Sequence, residues 1–164
     1  MGTNTSNMGK ISGRTIQSGR LDNNPVTKQS VGALVYSSST KRYLFLLRDG
    51  TKFAGTWGLT GGKVEADERV IDALYREINE ETGTDLSLNK TIPIETFTSD
   101  NRKFVYYTFL VSVEKEFIPE LNHEHRGYCW VELKDHPKPL HPGVWKTFNF
   151  TSIINKIKML EAVL

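Results

Sequence analysis

Between Gly62 and Thr84 the chain reads GKVEADERVIDALYREINEETGT, and this run restricts fold and chemistry more than any other. Ala66 to Thr82 holds no Gly or Pro, Val70, Leu74 and Ile78 recur every fourth residue beside Ile71, and Gly83 follows. That pattern predicts an amphipathic helix over 66–82, capped by Asp67 or the residues just before it and stopped at Gly83. On such a helix Glu77, Glu80 and Glu81 fall at i, i+3 and i+4, on one face, with neighbouring Cβ atoms about 5–6 Å apart. Three like charges there repel. A hard divalent cation removes that cost, and Mg²⁺ typically takes one or two carboxylates together with waters and substrate phosphates. The arrangement points to phosphate chemistry.

Glutamates in this spacing are, by themselves, most often a solvated helix face. The preceding loop changes that reading: Gly61 and Gly62 let the backbone approach a metal or phosphate closely, and Glu68 and Arg76 stand at fixed distances from the three carboxylates. The whole run is G-x5-E-x7-R-E-I-x-E-E-x-G, whose chance occurrence at one starting point is on the order of 10⁻⁸ at ordinary residue usage. It resembles the Nudix box, the signature of the Nudix hydrolases. Thr84 stands where that family usually has an aliphatic residue, and Trp57-Gly-Leu-Thr-Gly-Gly62 is similar to the family's lead-in with Thr60 in place of a common proline.

The resemblance implies an α/β/α sandwich and an enzyme that hydrolyses a phosphoric anhydride bond, cleaving a nucleoside diphosphate linked to a further group and releasing a nucleoside monophosphate. It implies Mg²⁺ or Mn²⁺ as cofactor, held by Glu77, Glu80 and Glu81 and by a main-chain carbonyl at Gly61 or Gly62. Arg76 and Glu68 are expected to brace the loop against the helix through a charge-assisted contact. The general base is open between Glu77 and a glutamate from a later loop. The loop candidate is Glu124, in HEHRGYCW (123–130). Histidine ligation by His123 or His125 is set aside, because metal sites for phosphate prefer oxygen.

Length and composition fit one globular domain: 164 residues, 38% hydrophobic and 24% charged. A net charge of +2 gives no ground for a nucleic-acid or membrane partner, either of which favours a clustered basic face. No apolar run reaches 18 residues, and the single cysteine, Cys129, excludes an internal disulfide framework. A cytoplasmic protein is expected, with a small nucleotide as partner; the oligomeric state is open, a homodimer included.

Residues 1–27, rich in Gly, Ser, Thr and Asn, are expected to form a disordered tail ahead of a domain over 28–164. VGALVY (31–36) and RYLFLLRD (42–49) read as a hairpin of buried strands, and TIPIETF (91–97) and FVYYTFLVSV (104–113) as a second hairpin. Thr51 to Trp57 reads as a loop, Tyr128 to Leu133 as a short strand, and Lys134 to Pro142 as a proline-rich loop. Gly143 to Leu160 reads as one amphipathic closing helix with Val144, Phe148, Ile153, Ile154, Ile157 and Leu160 on one side. Strands and helices in this order predict an α/β domain with a mixed β-sheet between helices.

For a nucleobase, Phe53, Trp57, Tyr106 and Tyr107 are candidate walls. Arg48, Lys52 and Arg102 are candidates for phosphate contact, Lys63 for charge on the leaving group, and Glu65 for extending the metal site. Signals for particular substrates conflict. HEHRGYCWVEL is similar to a segment of some dinucleoside polyphosphate hydrolases, and GGKVEADE to the lead-in of members that clean nucleoside triphosphate pools. An ADP-ribose-type substrate also stays within the class. The competing reading is a Nudix-like module that binds a nucleotide without cleaving it.

Overall fold

A computed structural model describes residues 27–50 and 52–164; of the expected 1–27 tail, all but Thr27 lies outside the described residues. Seven strands, β1 (Lys28–Ser37), β2 (Arg42–Arg48), β3 (Trp57–Gly58), β4 (Thr60–Lys63), β5 (Thr91–Thr98), β6 (Phe104–Val113) and β7 (His125–Val131), form one mixed sheet. The helices are α1 (Val70–Thr82), α2 (Pro142–Phe148) and α3 (Thr151–Glu161).

β1 is the centre of the sheet. Along one edge it runs parallel to β6 from Lys28↔Phe104 to Ser37↔Val113. Along the other it changes partner, pairing with β4 at 30–33 and with β2 only at Tyr36 and Ser37. β2 meanwhile pairs with β3 and β7, and β5 closes the far edge against β6. The sheet therefore forks where β1 passes from β4 to β2. Alternation along the strands fills a core on each face. Val31, Ala33 and Val35 join Leu44, Leu46, Val111 and Val113 against Ala73, Leu74 and Ile78 of α1. Leu34, Tyr36, Tyr43, Phe45 and Leu110 join Val144 of α2 and Ile157 of α3 on the opposite face. With α1 on one face and α2 and α3 on the other, the domain is the expected α/β/α sandwich.

Several boundaries differ from the sequence reading. Helix α1 begins at Val70, four residues after Ala66. Asp67 takes a left-handed turn conformation (φ 63°), and the N-cap position falls to Arg69, whose side chain makes no capping bond. The stop at Gly83 stands, with φ 73° and its N–H on the carbonyl of Asn79. The expected loop at 51–57 and its Gly-rich continuation give up two short strands, β3 and β4. The strand expected over 128–133 runs instead over His125–Val131, and Leu133–Asp135 is a 3₁₀ turn.

The single closing helix is two helices, broken at Asn149 and Phe150. The reason is geometric. Phe148 sits edge-on to Phe45 with ring centres 6.2 Å apart, and Ile157 is fully buried in the same core. At about 100° per residue, one unbroken helix would put these two side chains on opposite faces. The break lets both reach the sheet.

Candidate functional site

The site is assembled where α1 lies alongside β4. Gly61 must be glycine for close approach: a Cβ there would stand 2.0 Å from the carbonyl oxygen of Val31 on the paired strand. A Cβ on Gly62 would meet the Glu77 carboxylate at 2.5 Å. These glycines let the carboxylates of α1 lie directly on the β4 backbone.

Glu81, the most enclosed of the three, is 2% exposed, and its Oε1 accepts from the Gly61 N–H at 2.9 Å. Burial is the chief reason its carboxyl is pushed up to about 9; nearby Glu77 and Glu124 add to that rise and the Gly61 bond opposes it. Glu77 is half-buried, and burial raises its pKa too, against the pull of Arg76. Glu80, by contrast, is exposed. The three carboxylates share a helix face as their spacing predicts, yet they occupy three different environments.

Arg76 organises the loop that leads into α1. Its Nε and Nη2 donate to the two oxygens of Glu68 at 2.7 and 3.0 Å, a two-pronged pairing suited to the planar guanidinium. Nη2 also donates to the Lys63 carbonyl at 2.9 Å, while Nη1 reaches Glu77 at 3.0 Å and both oxygens of Glu80 at 3.3 Å. Glu68 additionally accepts from the Glu65 N–H at 3.0 Å. One cation thus ties the 63–68 loop to two of the carboxylates on α1.

Glu124 comes in from the other side, on the segment before β7. Its carbonyl accepts from the Asp49 N–H at 2.9 Å and its N–H donates to Asn122 Oδ1 at 3.0 Å; Asn122 in turn donates to the Glu80 carbonyl at 3.1 Å. These bonds place Glu124 beside Glu81. His125, which the sequence reading set aside, belongs to the same group: ligand atoms of Glu81, Glu124 and His125 all lie within 4.8 Å of one another. His125 is 6% exposed, its Nδ1 has no hydrogen-bond partner, and burial pushes its pKa down to about 4, so the ring is neutral at pH 7. The signal available in the sequence was its position directly after Glu124; that a strand starts at His125, and not at Tyr128, emerges only in the structure. His123 is exposed and lies outside this cluster.

A pocket of about 420 Å³ runs from Gly61 and Gly62 toward α2. Of the residues singled out for substrate contact, Arg48, Phe53 and Tyr106 line it. Trp57, Lys63 and Tyr107 do not. Trp57 packs into the core under α2 and α3; Lys63 contributes its carbonyl to Arg76 and is exposed; Tyr107 points to the α1 face, where its hydroxyl accepts from Gln29 at 3.1 Å. Lys52, Glu65 and Arg102 also lie outside the lining. In their place come residues unforeseen as ligand contacts: Glu95 and Phe97 on β5, Phe104 on β6, and Lys146, Thr147 and Phe150 from the α2 region. Only tertiary packing brings these segments together.

Carboxylates converging on a backbone strand, beside an apolar pocket, form a set of hard oxygen donors at the end of an organic binding slot. Comparison with known proteins identifies the family. The NUDIX domain family model matches residues 26–150. Nucleoside triphosphatase NudI from Escherichia coli is 41% identical over 95 residues, an alignment covering 51% of this chain and 66% of that protein. The chain therefore spans about two thirds of the length of the NudI relatives. Dihydroneopterin triphosphate diphosphatase from Haemophilus influenzae is 36% identical over 122 residues, covering 65% of this chain and 75% of that protein. Among solved structures, a MutT NUDIX hydrolase from Burkholderia pseudomallei superposes with a TM-score of 0.63 at 27% identity, covering 74% of this chain and 95% of its own. A MutT protein from Methanosarcina mazei Go1 gives 0.62 at 27% identity, covering 84% and 99%. The chain belongs to the Nudix family.

Proposed function

We propose that this chain is a divalent-metal-dependent pyrophosphohydrolase that cleaves a nucleoside diphosphate linked to a further group and releases a nucleoside monophosphate. The observation that carries the reading is the meeting of Glu77 and Glu81 with the β4 backbone at Gly61 and Gly62, which border the pocket, with Glu124 beside Glu81. Burying Glu81 beside two further carboxylates costs free energy that a bound cation would offset. The donor set fits such an ion, being oxygen-rich and already fixed by Gly61 and Arg76. Glu77, Glu80 and Glu81, with a main-chain carbonyl of Gly61 or Gly62, would hold Mg²⁺ or Mn²⁺. When bound, the metal supplies polarisation of phosphoryl oxygens and a more acidic water.

The chain's own residues do the rest. The pocket takes the organic end of the substrate between aromatic walls, which leaves the phosphates directed toward Gly61 and Gly62. Arg48, on the pocket wall, offsets phosphate charge. Glu124 stands next to the metal carboxylates as the acceptor of a proton from attacking water, with Glu77 as the alternative base. Two relatives named for action on triphosphates, NudI and dihydroneopterin triphosphate diphosphatase, support a triphosphate among the natural substrates.

A panel of nucleoside triphosphates, dinucleoside polyphosphates and ADP-ribose, incubated with Mg²⁺ or Mn²⁺ and resolved by ion-exchange chromatography, tests this. At least one member should yield a nucleoside monophosphate, and Glu80→Gln or Glu81→Gln should abolish that product. No turnover across the panel, with metal binding shown by calorimetry, would leave a nucleotide-binding module instead.

A further inference from the structure

The far end of the pocket holds a feature that phosphate chemistry does not use. Glu95 of β5 lines it, half-buried, among Phe97, Phe104, Tyr106 and Phe150. Its Oε1 accepts from the Thr147 hydroxyl on α2 at 2.9 Å. Among the described residues no Lys, Arg or His lies within 4.0 Å of this carboxylate, and Oε2 has no hydrogen-bond partner. Lys146 also lines the pocket but stacks its Nζ over Phe97, 5.3 Å from the ring centre.

A carboxylate only accepts hydrogen bonds, and its two oxygens offer about four lone-pair sites, of which Thr147 takes one. A ring that fills the slot displaces water from this carboxylate, and the loss is costly unless the ring itself brings donors. The complement to a carboxylate that can still accept at both oxygens is a pair of adjacent, parallel N–H groups on one planar edge, the geometry that makes two-pronged pairing strong. Adenine and cytosine present an amino group next to a ring-nitrogen acceptor, and uracil a single N–H between two carbonyls. The 2-amino-4-oxopyrimidine edge differs, since it carries a ring N–H beside an exocyclic amino group, followed by a carbonyl oxygen within the reach of a cation such as Lys146. Guanine and the pterins share that edge.

We propose that Glu95 is a specificity-determining residue, and that the pocket selects triphosphates whose ring presents the 2-amino-4-oxopyrimidine edge. Thr147 orients the carboxylate, the aromatic side chains stack on the ring, and Lys146 meets the carbonyl. The inference rests on the pyrophosphohydrolase reading above and adds the substrate class to it.

The test measures kcat/KM with GTP, ITP, ATP, CTP, UTP and 7,8-dihydroneopterin triphosphate. ITP lacks only the exocyclic amino group, so it isolates one of the two hydrogen bonds to Glu95. Loss of a hydrogen bond to a charged group predicts GTP over ITP by about 10- to 100-fold. In Glu95→Gln that ratio should collapse toward about one, mostly through KM, because the edge lies away from the reacting phosphorus. Thr147→Val should narrow the same ratio, whereas a purely structural tether between β5 and α2 would lower Tm and leave base preference unchanged. GTP and the pterin substrate separate the two sources of the shared edge. Turnover of nucleotides with no preference for GTP or the pterin, or a GTP/ITP ratio equal in wild type and Glu95→Gln, overturns the proposal while leaving the hydrolase reading intact. Absence of all turnover overturns the hydrolase reading; equilibrium binding of GTP and ITP by calorimetry then decides this one by the same ratio.

Discussion

Glu81 concentrates the conflict between stability and function in this protein. It is 2% exposed, its Oε1 receives the Gly61 N–H, and Glu77 and Glu124 add negative charge nearby. In Glu81→Gln the amide oxygen keeps the Gly61 bond, and the metal-free protein no longer has to protonate a carboxyl that burial has pushed up to about 9. The metal-free variant should gain about 1–2 kcal/mol, seen as a Tm rise of roughly 2–8 °C, and lose Mg²⁺-dependent turnover by about 10²–10³-fold or more. Thermal scans in EDTA paired with initial rates check this, and a lower Tm would show that the carboxylate is structurally required. Gly62→Ala makes the converse case. Its Cβ would enter the space of the Glu77 carboxylate, at 2.5 Å, so Glu77 must swing away. Turnover should fall about 10²-fold with Tm changed little, and an active Gly62→Ala would remove Glu77 from the machinery. The sequence marked both residues as members of a candidate metal site. It did not rank the carboxylates, because the burial of Glu81 is set by β4 and by the segment before β7, far away in the chain.

Among the elements, the loop from Lys63 to Arg69 and helix α1 act as a unit through Arg76. The two-pronged contact with Glu68 and the bond to the Lys63 carbonyl need a planar fork, which lysine lacks. Arg76→Lys, keeping the charge, should cost about 1–2 kcal/mol and raise the Mg²⁺ concentration needed for half-maximal activity. Chemical denaturation and a metal titration of the rate read the two effects. An unchanged titration would limit Arg76 to holding the loop. The Arg76–Glu68 brace was expected from the motif to which both residues belong, and the structure contains it. The start of α1 was not: Ala66 to Arg69 has helix-compatible composition, but Asp67 turns left-handed and the loop's bonds go to Arg76. The closing helices failed in the same way. Val144 and Phe148 keep a helical period, as do Ile153, Ile157 and Leu160, but the two sets fall on opposite sides of one continuous helix, and only the break at Asn149 and Phe150 turns both toward the sheet.

For the molecule as a whole, the fold class follows from the order of strands and helices, while the parallel β1–β6 pairing joins residues 76 positions apart and the fork joins β1 to β4 across 27 to 33 positions. The same long-range logic governs how Glu124 reaches the site. Residues 114–124 run from the end of β6 beneath α1, anchored in series. Glu116 pairs with Arg42 at 2.6 and 2.8 Å and accepts from Thr40; Phe117 stacks edge-on to Trp130 and accepts its indole N–H; the Glu120 N–H meets the Thr82 carbonyl. The first anchor carries a pH signature. The Arg42 hydrogen bonds hold the Glu116 carboxyl below its usual 4.5. A carboxyl with a depressed folded pKa contributes stability that is complete above its unfolded value and is lost as pH falls through the folded one. Wild type should therefore be more stable than Glu116→Gln at pH 7, and the gap should narrow below 4.5 and close once Glu116 is protonated in the fold. Thermal unfolding of both proteins from pH 7 down to about pH 3 measures it. A gap that persists unchanged at the acid end would mean that the pairing with Arg42 does not anchor the arm through charge, and that the approach of Glu124 to Glu81 depends on the contacts of Asp49, Phe117, Glu120 and Asn122.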